Sequence, residues 1–130
     1  MRIPQALYDQ MVAHALADAP DECCGIISSQ GADAVKLYQL ENTAHSPLRY
    51  EIDPGELYRV MLEIDDAELE LGAIYHSHTR SDPYPSQTDI NLAFYPDSLY
   101  IIVGTTAVEP QVKAYEIRGG HVAEAVLTVV

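Results

Sequence analysis

The chain contains no tryptophan, one phenylalanine and only two cysteines among its 130 residues. The cysteines are adjacent, Cys23 and Cys24. Neighbours on a strand point to opposite faces, so a disulfide between them would be strained. They are expected as reduced thiols, one of them packed in the core. No histidine stands beside them in sequence, which gives a catalytic thiol little support. Basic residues are scarce too: 7 Lys+Arg face 20 Asp+Glu, a net charge of −13. Such a surface repels phosphate backbones, and there is no basic patch to overcome that, so nucleic acid is excluded as a partner. The acidity fits solubility, steering of a basic partner, or a salt-rich or acid-shifted proteome. No window approaches the roughly 18 apolar residues of a membrane-spanning helix, so no membrane partner is expected. The segment Met1-Arg2-Ile3-Pro4-Gln5 lacks the apolar stretch of a secretory signal, and the expected location is cytoplasmic. Repeats, linkers and low-complexity segments are absent. The length predicts one domain over residues 1–130.

What is present is an alternation of helical and strand signals. Pro4 to Ala19 reads as an amphipathic helix with Leu7, Met11, Ala15 and Val12 turned inward, ended by Pro20. Cys24 to Ser28 is a short apolar strand. After a turn at Gln30-Gly31-Ala32-Asp33, Ala34 to Leu40 returns antiparallel, offering Val35, Leu37 and Tyr38 to the core. Arg49 to Ile52 is expected to be extended. Asp53-Pro54-Gly55-Glu56 opens a helix well, with Asp as N-cap and Pro at the first helical position. That helix is expected to run to about Leu71, with Gly72 closing it. Leu99 to Gly104 is a near-continuous apolar run, hence a central strand. Val112 to Ile117, a hairpin turn at Gly119-Gly120 and a last strand from His121 to Val130 complete the chain. About six strands, two substantial helices and a short one predict an α+β fold: a single domain with a curved mixed sheet flanked by helices. The tyrosines, nine in all, suit sheet edges as amphipathic fillers, with Tyr84 placed to border a substrate.

The chemistry concentrates in His76-Ser77-His78, followed after seven residues by Ser86-Gln87-Thr88-Asp89. Ala73-Ile74-Tyr75 before the histidines reads as a buried strand. Residues two apart on a strand share a face, so His76 and His78 can chelate one ion. Pro83 and Pro85 break the chain, Ser86 is a good N-cap, and Asp89 lies three positions later on the same helical face. A loop of this length can return that face over the strand end. Two nitrogens and one oxygen leave a fourth tetrahedral position open, the pattern of a catalytic rather than a structural zinc. Such an ion brings the pKa of water near 7. Proton transfer then needs a carboxylate outside the metal shell. Pro20-Asp21-Glu22-Cys23-Cys24-Gly25, where the first helix hands over to a strand, offers Asp21 and Glu22. Ser86 serves its helix as a cap and has a hydroxyl proton to spare for chemistry. His14, His45 and His121 are assigned no metal role.

These motifs, with Glu22 in a Pro-x-Glu-x-Cys-Gly setting, resemble the JAMM signature of the MPN (Mov34/PAD-1) metallopeptidases, over nearly the whole chain. The likeness is nearest to the small bacterial CysO-cysteine peptidase branch. It is carried by Pro20-Asp21-Glu22, Ser46-Pro47-Leu48-Arg49-Tyr50, Ile74-Tyr75-His76-Ser77-His78-Thr79, Tyr84-Pro85-Ser86-Gln87-Thr88-Asp89 and Pro96-Asp97. The resemblance implies the MPN fold and Zn2+ held by His76, His78 and Asp89. It makes Glu22 the general base that later protonates the leaving amine, and Ser86 a holder of the catalytic water or oxyanion. It also implies a ubiquitin-like sulfur-carrier protein with a Gly-Gly tail as substrate, with cysteine released. Thr79 stands where many members have proline, and Ser28-Ser29 where a glycine often ends the first strand. The insertions by which larger members grip ubiquitin have no room here. A JAMM peptidase of another pathway and a non-catalytic MPN interaction module are the alternatives, although scaffold members typically lose the site residues that this chain keeps.

Overall fold

The computed structural model describes all residues from Met1 to Val130. The elements run β1 (Arg2–Ile3), α1 (Gln5–Asp18), β2 (Cys24–Gln30), β3 (Asp33–Leu40), α2 (Pro54–Asp66), β4 (Glu70–His78), α3 (Gln87–Asn91), β5 (Leu99–Gly104), β6 (Gln111–Arg118), β7 (His121–Ala125) and β8 (Thr128–Val129). They form one eight-stranded mixed sheet in the order β7-β6-β5-β4-β2-β3-β1-β8. Most neighbours are antiparallel, but β4 and β5 run parallel, as do β1 with β3 and β1 with β8.

The expected last strand is in fact two. β7 pairs with β6 at one edge of the sheet, and β8 pairs with β1 at the other. Only Val126 and Leu127 link them, a span of about 11 Å at full extension. The two edges must therefore approach each other, and the sheet curls towards closure. The N-terminal amine bonds to the Val126 carbonyl at 3.0 Å, at this same junction.

Side-chain alternation sorts the apolar residues to two faces. Ile27, Ala73, Tyr75, Ile101 and Val103 pack with Met11 and Ala15 of α1. Ile26, Ile74, Tyr100, Ile102 and Tyr115 pack with Val60 and Ile64 of α2. Cys23 and Cys24 fall on opposite faces as expected, but both are buried, not one. Burial pushes both thiols up to about 12, which leaves them unreactive at neutral pH.

Two further expectations are corrected. Val35 is 47% exposed, not inward. Ser28 pairs with Lys36 and Ser29 with Ala34, so Val35 is the extra residue of a β-bulge, and Ala34 and Leu40 fill the core instead. Helix α2 opens as expected, with the Asp53 side chain accepting from the Glu56 amide at 3.0 Å. It ends at Asp66, five residues before Leu71. Glu68 adopts φ +56°, its amide reaches the Asp65 carbonyl, and Leu69 reaches that of Ile64. This is a Schellman ending with glutamate in the place that usually signals by glycine. Gly72 lies instead inside β4, where an added Cβ would sit 2.6 Å from Ser29 Cβ. The Gly119-Gly120 hairpin is as expected, with φ of +55° and +79°.

The parallel step from β4 to β5 matters most for function. Parallel neighbours need a crossover connection. Residues 79–98 provide it and carry α3 back over the C-terminal end of β4.

Candidate metal centre and proton-transfer site

His76 and His78 lie at the end of β4, on the face of Ile74, and are 1% and 3% exposed. Asp89 reaches them from α3. Ser86 caps that helix in a reciprocal box: its hydroxyl accepts from the Asp89 amide at 3.1 Å, and Asp89 Oδ2 accepts from the Ser86 amide at 2.9 Å. The box turns the same carboxylate oxygen towards the histidines. His76 Nε2 and His78 Nε2 are 3.1 Å apart, and they lie 3.2 and 3.0 Å from Asp89 Oδ2.

This triangle fits a metal. Tetrahedral zinc with ligand bonds of about 2.0–2.1 Å sets its donor atoms about 3.3 Å apart. His78 Nδ1 donates to the Asp82 carbonyl at 2.8 Å, so in a neutral ring Nε2 turns a lone pair towards Asp89. Lone pairs converging on one point repel unless a cation or proton lies among them. Burial lowers the pKa of His76 and favours the neutral, ligating form, against the opposing pull of Asp89. Burial alone would raise Asp89, but hydrogen bonds with His76, His78 and the Ser86 amide hold it well below the usual carboxylate range.

Glu22 lies on the same face, just before β2. Cys24 pairs with His76, and the Ser77 amide donates to the Cys23 carbonyl at 3.2 Å, so Glu22 follows next along the end of β4. It is 4% exposed, and its Oε1 has no hydrogen-bond partner. Its backbone is held on both sides: the amide donates to the Ser46 carbonyl at 2.9 Å, and the carbonyl accepts from Asn42 Nδ2 at 2.9 Å. Burial pushes the carboxyl up to about 7, with His78 lowering it and Asp89 raising it. A carboxyl near neutrality both takes and gives protons. Asp21, its competitor in the sequence, is half-buried.

The roles of three residues at the site escaped the sequence reading. Ser77 is fully buried on the far face, and its hydroxyl accepts from the Cys23 amide at 2.8 Å, fastening the Glu22 strand to the metal strand. Tyr50 stacks on His76, with ring centroids 4.6 Å apart at 26°. Asn42 bonds to the carbonyls of Glu22 and Arg49 and to the amides of Ala44 and Glu51, so one amide side chain joins Glu22 to the Tyr50 segment. Only long-range contacts reveal these roles; an asparagine in a loop is otherwise ordinary.

Residues 49–52 join no strand, because Asn42 and Thr43 take up the backbone of Arg49 and Glu51. The segment still borders the site. Beyond Tyr50 opens an apolar groove of about 240 Å³ lined by Ile52, Leu57, Leu92, Phe94 and Tyr95 among others. Tyr84 is 57% exposed and packs edge-on against Tyr115, 5.5 Å between centroids. His14 is buried against the Tyr75 hydroxyl on the α1 side of β4, while His45 and His121 are exposed.

Comparison with known proteins places the chain in a family. Residues 4–118 match the family of prokaryotic homologs of the JAB domain. The chain is 39% identical over 127 residues to the CysO-cysteine peptidase of Mycobacterium tuberculosis, covering 95% of this chain and 87% of that one. It is 34% identical over 101 residues to the desampylase of Haloferax volcanii, 72% of this chain and 73% of that one. In fold it matches a JAB1/MPN domain protein from Archaeoglobus fulgidus, with a TM-score of 0.69 at 22% identity over 100% of this chain and 99% of the other. The chain belongs to the prokaryotic JAB-domain family, and it is a peptidase of the JAMM type.

Proposed function

We propose that this chain is a zinc-dependent peptidase that hydrolyses the amide bond at the C-terminus of a ubiquitin-like sulfur-carrier adduct and releases cysteine. The carrying observation is the donor triangle of His76, His78 and Asp89, with spacings of 3.0–3.2 Å, beside the buried and unpartnered Glu22 carboxyl. The substrate class is that of the CysO-cysteine peptidase, with which the chain shares 39% identity along almost its whole length.

His76, His78 and Asp89 would hold the ion; when bound, zinc supplies Lewis acidity that polarises the scissile carbonyl and makes water acidic near pH 7. The remaining work belongs to the chain. Glu22 takes a proton from the attacking water at Oε1 and delivers it to the leaving nitrogen as the C–N bond breaks. The water oxygen stays on the acyl carbon, so the products are a carrier carboxylate and a free amine. Ser86 keeps its hydroxyl proton free for the oxyanion, because its cap bond uses the oxygen only as an acceptor. Tyr50 packs on His76 and excludes water from one side of the ring.

The backbone groups of Tyr50 and Ile52 make no hydrogen bond within the chain. A flexible tail can pair with them as an added strand, with its side chains in the apolar groove. Two glycines next to the scissile bond pass a narrow cleft without side-chain conflict. Cleavage of whole protein conjugates is the second reading, favoured by the likeness to desampylase. Intact-mass analysis of a carrier–cysteine adduct with the zinc-loaded enzyme decides. Loss of one cysteine residue, blocked by a chelator, supports the first reading. An untouched adduct alongside a cleaved lysine-linked conjugate replaces it with the second.

A further inference from the structure

Seven side chains carry a fixed positive charge, against 20 carboxylates. Six of them, Arg2, Lys36, Arg49, Arg59, Lys113 and Arg118, each lie within 4.0 Å of a carboxylate. The seventh, Arg80, makes no ion pair or hydrogen bond and is exposed. In so acidic a chain a cation left without a partner is unusual, and this one follows the metal strand by two residues.

Its backbone neighbours are anchored on both sides. Thr79 Oγ1 donates to the Pro20 carbonyl at 2.8 Å, against the segment that leads into Glu22. The Asp82 carbonyl accepts from His78 Nδ1 at 2.8 Å. Arg80 stands between these anchors, just beyond the end of β4. A group that protonates the leaving nitrogen must lie beside it. The leaving group therefore occupies the Glu22 end of the site.

We propose that Arg80 binds the α-carboxylate of a single C-terminal amino acid as it leaves, and so selects removal of one residue over cleavage of a lysine-linked conjugate. The inference rests on the peptidase reading above. A lysine side chain in a target protein presents no carboxylate at that position. An amino-acid leaving group does, and the net charge of −13 would repel it without a local cation. The guanidinium fork matches a carboxylate bidentately.

The test uses two carrier adducts that differ in one group, a C-terminal cysteine acid and the cysteine carboxamide. The wild-type enzyme should favour the acid by about 10-fold in kcat/KM, as an exposed charge-assisted bond predicts, and high salt should erode the preference. In Arg80→Gln the ratio of acid to amide should fall to about 1, and Arg80→Lys should restore part of it. Equal losses on both adducts, or an unchanged ratio, would overturn the role of Arg80. A second readout needs no turnover: equilibrium binding of both adducts to Glu22→Gln protein, with and without Arg80→Gln, should show the same change of ratio. If neither adduct is cleaved the proposed substrate fails, and the binding ratio still decides for or against Arg80.

Discussion

Strand β4 presents two faces to two buried environments, and they differ in one respect. On the face towards α1, the Tyr75 hydroxyl meets His14 Nδ1 at 2.7 Å, His14 Nε2 lies 3.2 Å from Asp18, and the Ser77 hydroxyl holds the Cys23 amide. The chain itself satisfies every one of these polar groups. On the other face, His76 and His78 crowd their ring nitrogens against Asp89. The two buried side-chain atoms without a partner, Glu22 Oε1 and His76 Nδ1, are both there. Burying a polar atom unpaired costs about 1–3 kcal/mol. The first face spends its polar groups on stability. The second leaves a carboxylate oxygen and a ring nitrogen unpaired, beside three donor atoms that converge on one point.

Substitutions on the second face should have the largest effects, and on chemistry. Native protein should carry about one zinc per chain. Asp89→Ala, or a His76→Ala and His78→Ala double variant, should lose most of that metal and essentially all turnover, read by elemental analysis and adduct cleavage. Full zinc occupancy in the double variant would refute the assignment of ligands. Glu22→Gln should retain the metal and lose about 10²–10⁴-fold in kcat, the worth of a positioned acid–base group. If Asp21→Asn is the crippled variant and Glu22→Gln is near normal, the wrong carboxylate has been chosen.

Glu22 also gives the second face a pH signature in metal-free protein. Its carboxyl is raised from 4.5 to about 7 by burial. Folding then favours the protonated form, so the associated stability is full below about pH 4.5 and is lost as pH rises through about 7. The upper limit is about 3 kcal/mol, from 1.36 kcal/mol per pKa unit. Chemical denaturation of metal-free wild type and Glu22→Gln should diverge across that window, the variant being the more stable at pH 8. Parallel curves would show that burial does not hold this carboxyl.

The first face should answer in stability alone. His14→Ala leaves the Tyr75 hydroxyl unpaired and should cost about 1–3 kcal/mol with zinc content unchanged. Adding Tyr75→Phe should return part of that loss, since the orphaned group is then gone. Loss of metal in His14→Ala would show that the two faces are coupled through β4.

The same contrast explains what the sequence made legible. The cluster of His76, His78 and Asp89 could be read because its parts obey local periods: two for His76 and His78 on a strand, three for Ser86 and Asp89 in a capping box. The strands and helices that carry their own apolar pattern could be read too, Leu99 to Gly104 to the residue. Tyr50, Asn42 and Ser77 could not, because each acts on a residue many positions away and has an ordinary local setting. β1 was invisible, and β8 was merged into the last strand, for another reason: two residues each show no period, and only their pairing with each other across the chain makes them strands. The bulge at Val35 inverted an inward-facing expectation by a one-residue slip.

The end of α2 supplies the mildest test, far from both faces of the site. Its left-handed residue is Glu68, at φ +56°. A side chain in that region costs about 1 kcal/mol or slightly more relative to glycine, which enters it freely. Against this, glycine widens the unfolded ensemble, which takes back part of the gain. Glu68→Gly should therefore raise stability by about 0.5–1 kcal/mol, with zinc content and turnover unchanged. Glu68→Ala keeps the Cβ and should gain nothing, so the pair separates backbone conformation from loss of a negative charge. Equal stabilisation by both would assign the effect to charge, at a helix end where an anion is already unfavourable.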